Sequence, residues 1–214
     1  VSEGRRIYDN VISNILYNLS SNFTEILIIL FGMLTGNTII SAIHVLYIDL
    51  VADTVPSIAL AYEGASKNIM KQKPNGINRK IFTKFFSAFL ILSVILETII
   101  SLIVYYHFLP SGENIAQTLA LLSIVINEFV FAYNCRSLKE QIHTRGIFKN
   151  KQLNIGILAL LLVQVIVFFS PIGKIFGLTI VTVTQFIYVF VINIISLVII
   201  EMLKPWIVKR FKDE

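Results

Sequence analysis

Residues 12–62 read ISNILYNLSSNFTEILIILFGMLTGNTIISAIHVLYIDLVADTVPSIALAY. Two apolar runs, each longer than the roughly 18 residues that a bilayer crossing needs, are parted only by the turn signal TGN at 35–37. Asn22 and Glu25 stand inside the first run, and Asp49 and Asp53 inside the second. Polar and ionisable groups at membrane depth are costly, so they face a bundle interior and mark an ion or substrate path. Spacings of three and four residues put each pair on one helix face. Two facing helices so equipped offer a cluster of hard oxygen ligands, which suits Ca²⁺, Na⁺ or K⁺ far better than a soft metal.

The rest of the chain repeats the membrane signal. Of 214 residues, 56% are apolar and 14% charged, and the mean hydropathy is +0.78. That charged share is well below the quarter or so usual for soluble domains. Six spans are expected, at about 12–35, 38–62, 81–108, 116–135, 153–172 and 178–203. The fold class is all-α: a polytopic bundle of six transmembrane helices, with residues 1–214 forming one membrane domain. TGN and PIGKIFG (171–177) read as tight hairpins. The longer joins, 63–79 and 136–151, are basic.

The net charge of +5 has a membrane explanation. With the N-terminus placed inside, every Lys and Arg except Lys174 falls on an inside segment, as the positive-inside rule demands. Both termini are then cytoplasmic, and a nucleic-acid partner is unnecessary. Trp206, Tyr105 and Tyr106 fall near span ends, where aromatic belts sit. The single cysteine, Cys135, excludes a disulfide framework, and no Cys/His zinc spacing is present. His44, His107 and His143 are scattered and read as structural or interfacial. The chain opens on Val1 with polar VSEGRRIYDN and no signal peptide, as a piece of something longer would.

Asn18, Ser21, Asn22 and Glu25 follow the i, i+3, i+4, i+7 pattern, with Gly32 further up the same face. A stripe of small and polar residues is a packing face, and a carboxylate within it points to ion binding. Pro56 follows Asp53 by three residues. It removes one backbone donor and crowds the carbonyl of Ala52. An opened helix there would free carbonyl oxygens beside two carboxylates, a device of membrane ion sites. Carboxylates this close in a low dielectric cannot all ionise without a counter-charge, so a bound cation or a retained proton is needed. That is a physical basis for cation/proton exchange. Glu128, with Asn127 and Asn134 nearby, can complete the site. Glu97 lies deep in the third span with few polar neighbours in sequence; it reads as a protonated group bonded to a neighbouring helix. Gln164, Gln185 and Asn193 read as interhelical glue.

These stretches resemble the C-terminal transmembrane domain, helices five to ten, of P-type cation-transporting ATPases of the Ca²⁺ or Na⁺/K⁺ type. The resemblance covers essentially the whole chain and is strongest over 3–70. EGRRIYDN is similar to the stalk entering the family's fifth helix, and YNLSSNFTE to that helix's ion-binding segment. YIDLVADTVPSIALAYE is similar to the sixth helix, and NEFVFAYNCRS to the eighth. The resemblance implies that Asn22, Glu25, Asp49, Asp53 and Glu128 are the cation ligands, with Ser21 where some members use a hydroxyl and Tyr17 just below. Two departures bear on the ion. Calcium pumps typically carry Asn at the position of Asp49, and the family often has Thr at Ala52. Ca²⁺ is the first expectation and Na⁺ or K⁺ the second.

The family's DKTG and TGES motifs are absent from this chain, as are its nucleotide domain and first four helices. Mg-ATP would therefore bind only in those missing domains, and no catalytic residue is expected here. The implied function is the ion-binding membrane half of an ATP-driven pump, whose partners are membrane lipid, the N-terminal half and the transported cations. The alternative is a stand-alone six-helix channel, exchanger or regulatory subunit without ATPase activity. Loss of the partner helices predicts an exposed polar groove or dimerisation along the Asn18–Glu25 stripe.

Overall fold

The structure, a computed structural model, describes residues 1–65, 70, 82–138 and 140–211. Among them there is no strand. Helix α1 spans Ser2–Thr35. The second span is composite: α2 (Ala42–Tyr47), a π-helical stretch (Ile48–Asp53) and α3 (Thr54–Ala61). Then come α4 (Lys84–Phe108), α5 (Glu113–Cys135), the short α6 (Ile142–Arg145), α7 (Lys151–Phe169) and α8 (Val183–Arg210). Six of these helical stretches are long and apolar enough to cross a membrane, which bears out the all-α, six-span reading.

The bounds differ from expectation where capping intervenes. At 34 residues α1 is about 51 Å long, well beyond a hydrocarbon core of about 30 Å. Its polar first turns therefore project as a helical stalk. The last span begins at Val183 rather than at 178, because Thr182 and Gln185 form a reciprocal capping box. Gln185 thus caps its own helix and is not interhelical glue. Gln164 does cross between helices, accepting from the Tyr47 hydroxyl at 2.5 Å. Asn193 does the same, donating to Ser123 Oγ at 3.0 Å. Most of the basic join 63–79 lies outside the described residues.

Both short hairpins close on left-handed glycines. Gly36 (φ 70°) ends α1, and Gly177 (φ 74°) ends the 3₁₀ turns of Pro171–Phe176. Gly32 matters for a different reason. A Cβ there would sit 2.7 Å from the Asn37 carbonyl oxygen, so the first hairpin folds back against a residue that must lack a side chain.

Helix α5 is the hub of the bundle. Over its apolar window 83% of residues are buried, against 33% for α7 and 22% for α8. Its residues from Leu119 to Phe129 are buried without a break, so other elements pack around its whole circumference. Phe131 of α5 stacks on Tyr17 of α1 and on Phe89 of α4 at 6.3 Å each, locking three spans together.

At the basic end of the bundle, Glu63 collects an ion-pair network that the sequence did not announce. Its carboxylate accepts from Arg136 Nε (2.9 Å), Arg145 Nη1 (3.0 Å) and Asn150 Nδ2 (2.8 Å). Asn10 of α1 donates to the carbonyls of Ala61 and Glu63, both at 2.9 Å. Asn150 also caps α7. The Glu63 and Arg136 side chains are only 6% and 2% exposed. A second network covers the end of α5. Buried Lys204 donates to the carbonyls of Asn134 (3.1 Å) and Ser137 (3.0 Å) and pairs with Glu201. Pro205, one residue on, leaves the Glu201 carbonyl without its helical donor, and Gln141 Nε2 supplies one at 3.1 Å.

Two stability predictions follow from these contacts. Gly32→Ala overpacks the hairpin and is expected to cost about 1–3 kcal/mol, read as a lowered Tm of the protein in lipid nanodiscs. Glu63→Gln leaves Arg136 buried without its charge partner, a loss of about 3–5 kcal/mol. Adding Arg136→Gln to it is expected to recover part of that loss, and strict additivity of the two would contradict the pairing.

Candidate cation site

Three carboxylates from three spans face the interior at mid-membrane. Glu25 of α1 is 5% exposed, Asp53 at the end of the π-helical stretch 8%, and Glu128 of α5 1%. Ser21 Oγ donates to Asp53 Oδ2 at 2.8 Å, joining the first two spans directly. The other Asp53 oxygen, Oδ1, is buried and accepts no hydrogen bond. The same holds for Glu25 Oε1 and Glu128 Oε2. Glu25 is within electrostatic reach of Asp49 and Asp53, and Glu128 of Asp53. The buried Tyr17 hydroxyl faces Glu128 and Asp53 but makes no well-formed hydrogen bond with either. Buried polar atoms in proteins are almost always bonded. Orphaned carboxylate oxygens at this density are acceptors awaiting a positive partner, and hard oxygens suit Ca²⁺, Na⁺ or K⁺.

The second span supplies the local geometry. Pro56 cannot donate to the Ala52 carbonyl. The helix answers by widening into π geometry over Ile48–Asp53 rather than unwinding. The opened segment expected from sequence is therefore a bulge. Within it Thr54 Oγ1 takes the Asp49 carbonyl at 3.0 Å.

Of the five sequence candidates, Asn22 and Asp49 are exposed, while Glu25, Asp53 and Glu128 are buried. The buried three are directed into the bundle, and the other two are on its exposed side. Among the described residues, no three His, Cys, Asp or Glu side chains converge closely enough to hold a metal alone. Asn18 is engaged with Asn14 and Ser57 at the groove's edge. Asn127 turns away from Glu128, accepting from Ser196 of α8 at 2.7 Å. One residue along a helix is a rotation of about 100°, which the expectation for Asn127 ignored. The side-chain amide of Asn134 is buried without a hydrogen-bond partner.

Glu97 has more polar company than its local sequence implied. Thr24 Oγ1 donates to it at 3.0 Å, and Ser20 Oγ lies at 3.4 Å. Those hydroxyls come from the opposite face of α1 to Asn22. The apolar run around Glu97 gave no sign of them, but the i, i+4 pair Ser20/Thr24 did.

Comparison with known proteins agrees with this layout. The family model "Cation transporting ATPase, C-terminus" matches residues 37–206. The chain is 31% identical to "Calcium-transporting ATPase 1" of Bacillus cereus, over 95% of this chain and 25% of that protein. It is 33% identical to "Calcium-transporting ATPase" of Bacillus subtilis, over 82% of this chain and 20% of that protein. Over 37% of this chain and 8% of the relative, it is 44% identical to human "Potassium-transporting ATPase alpha chain 2". The chain thus spans about a quarter or less of the length of these relatives. Six membrane-length helices, buried carboxylates on three of them and a match over most of the chain agree: it belongs to the cation-transporting ATPase C-terminal family.

Proposed function

We propose that this chain forms the ion-binding membrane half of an ATP-driven cation pump whose transported substrate is Ca²⁺. The observation that carries the reading is the set of buried, unbonded oxygens on Glu25, Asp53 and Glu128. Net negative charge at membrane depth needs a cation or protons to balance it. Ca²⁺ takes six to eight oxygens. The three buried acids would supply part of that shell. Asn22 and Asp49 would close it from the open side, where the N-terminal helices of the intact pump would pack. The calcium-transporting relatives favour Ca²⁺ over Na⁺ or K⁺, and Asp49 supplies extra negative charge for a divalent ion.

Mg-ATP would bind and react in the N-terminal domains, so this chain contributes selectivity and the path rather than phosphoryl transfer. The stalk at the start of α1 is the natural lever. A pull along that helix would move Ser21 and Glu25 against Asp53, changing the shell and its access. Lipid covers the outer faces of α7 and α8, whose apolar side chains are largely exposed. By the positive-inside rule both termini would lie in the cytoplasm. Arg136, Arg145, Lys149, Lys151, Lys204, Lys209 and Arg210 gather at one end, and Lys174 stands in the turn at the other.

In the full-length protein, Asp53→Asn is expected to abolish Ca²⁺ binding, measured by equilibrium ⁴⁵Ca²⁺ uptake into membranes, while leaving insertion intact. Unchanged affinity would remove Asp53 from the site. Ser21→Ala frees the carboxylate that the hydroxyl orients, and a loss of about 10–100-fold in affinity is expected. Orientation has its own check. Cys135 is fully buried, so Lys174→Cys is expected to react with an impermeant maleimide from outside intact cells. Labelling only after the membrane is opened would invert the topology.

A further inference from the structure

On the far side of α1 from Asn22, Glu97 of α4 forms a second polar centre that the proposed cation shell does not use. It stands at the middle of α4 and is 1% exposed. None of the ion pairs among the described residues includes it. Its Oε1 is buried and unbonded. Its Oε2 meets the hydroxyls of Thr24 and Ser20, and Ser20 in turn meets Ser93 at 2.9 Å.

Counting hydrogens shows what this centre lacks. Each hydroxyl has one hydrogen to donate. Ser93 donates to the Leu90 carbonyl at 2.9 Å. Either oxygen could supply the hydrogen between Ser20 Oγ and Ser93 Oγ, 2.9 Å apart; with the Ser93 hydrogen committed to Leu90, it falls to Ser20. Thr24 donates to Glu97 Oε2 at 3.0 Å. Ser20 Oγ also lies 3.4 Å from Glu97 Oε2, a contact in which Ser20 would donate to a carboxylate; with its one hydrogen given to Ser93, that loose contact lacks a hydrogen unless Glu97 brings one. The missing hydrogen is one that Glu97 itself would carry. A proton taken from water makes it a neutral acid that donates to Ser20, and the chain runs unbroken from Glu97 through Ser20 and Ser93 to the Leu90 carbonyl. An ionised Glu97 would instead reverse the Ser20 hydroxyl and leave a charge with two hydroxyl donors but no counter-ion in a low-dielectric interior, where the group neutralises rather than bear the desolvation cost.

We propose that Glu97, Ser20 and Ser93 form a proton-binding site within the membrane, in which Glu97 holds an exchangeable proton and donates it as the first link of a hydroxyl chain. The groups facing this site are known from each packed element. Asp53 of the second span and Glu128 and Cys135 of α5 are within electrostatic reach of it. Each adds negative or neutral character. The nearby cation, Lys204 of α8, lies over Phe89, about two turns from Glu97 along α4. It is already committed to Glu201 and two carbonyls.

The test is infrared spectroscopy of the protein reconstituted in lipid vesicles at neutral pH, reading the C=O stretch of carboxylic acids. Glu97→Gln keeps the shape and removes the acid. The expected result is loss of one acid C=O band relative to wild type, a band that shifts in D₂O and fades as pH rises. A Glu97→Gln spectrum with every acid band intact would overturn the site, since Glu97 would then be a carboxylate. Ser20→Ala gives a second, milder reading should the first variant fail to fold. It is expected to move the band to higher frequency by removing the acceptor, and an unmoved band would also overturn the proposal. Neither readout needs transport, so failure of the pump assignment would leave this result standing.

Discussion

The cost of carboxylate charge in hydrocarbon is the constraint on which this structure turns. Glu25, Asp53, Glu97 and Glu128 are all buried at mid-membrane, and none has an Arg, Lys or His partner among the described ion pairs. Water cannot rescue them there. The fold meets the cost with hydroxyls. Ser21 serves Asp53 and Thr24 serves Glu97, with Ser20 beside it, so that α1 presents polar groups toward two neighbouring spans. A helix polar on two sides cannot face lipid with either. It is held between the second span on one side and α4 on the other. What the hydroxyls leave unsatisfied is the room for a positive ligand.

Charge is fully paired at the basic end, where the same elements are tied down. Glu63 lies ten residues beyond Asp53 in the second span, and Arg136 eight residues beyond Glu128 in α5. Asn10 of α1 reaches the carbonyls beside Glu63. The three elements that carry the mid-membrane acids are therefore fixed to one another at one end. The other ends of α1 and the second span meet in one hairpin that depends on Gly32 and Gly36. Motion at the shell then has to come from rotation or sliding between these anchors, and the π-helical stretch over Ile48–Asp53 is the one backbone segment in the shell with slack built into it.

Much of this was legible in the sequence, for a physical reason. Span number and hairpin positions follow from hydropathy and glycine, both local properties. Glu25, Asp49 and Asp53 stood out because charge is rare in apolar runs. Long-range pairing was not legible. The Glu63 network joins residues more than 70 positions apart, and nothing local to YEGA or NCRS indicates a partner. Asn127 was grouped with Glu128 by proximity in sequence, although adjacent helical residues point in different directions. Glu97 has few polar neighbours in its own stretch of sequence because its partners come from α1. Tyr105 was assigned to an aromatic belt, yet it is fully buried, whereas Trp206 and Tyr106 are exposed as that role requires.

The most direct measurement is a cryo-electron microscopy map of the full-length protein in lipid nanodiscs with saturating Ca²⁺. The account predicts ion density about 2.3–2.6 Å from Asp53 Oδ1 and Glu25 Oε1, the contact distance of Ca²⁺ to carboxylate oxygen. Glu128 would border the density, and Asn22 and Asp49 would be covered by further helices. Carboxylates joined only to protein donors, with the ion bound elsewhere, would contradict it.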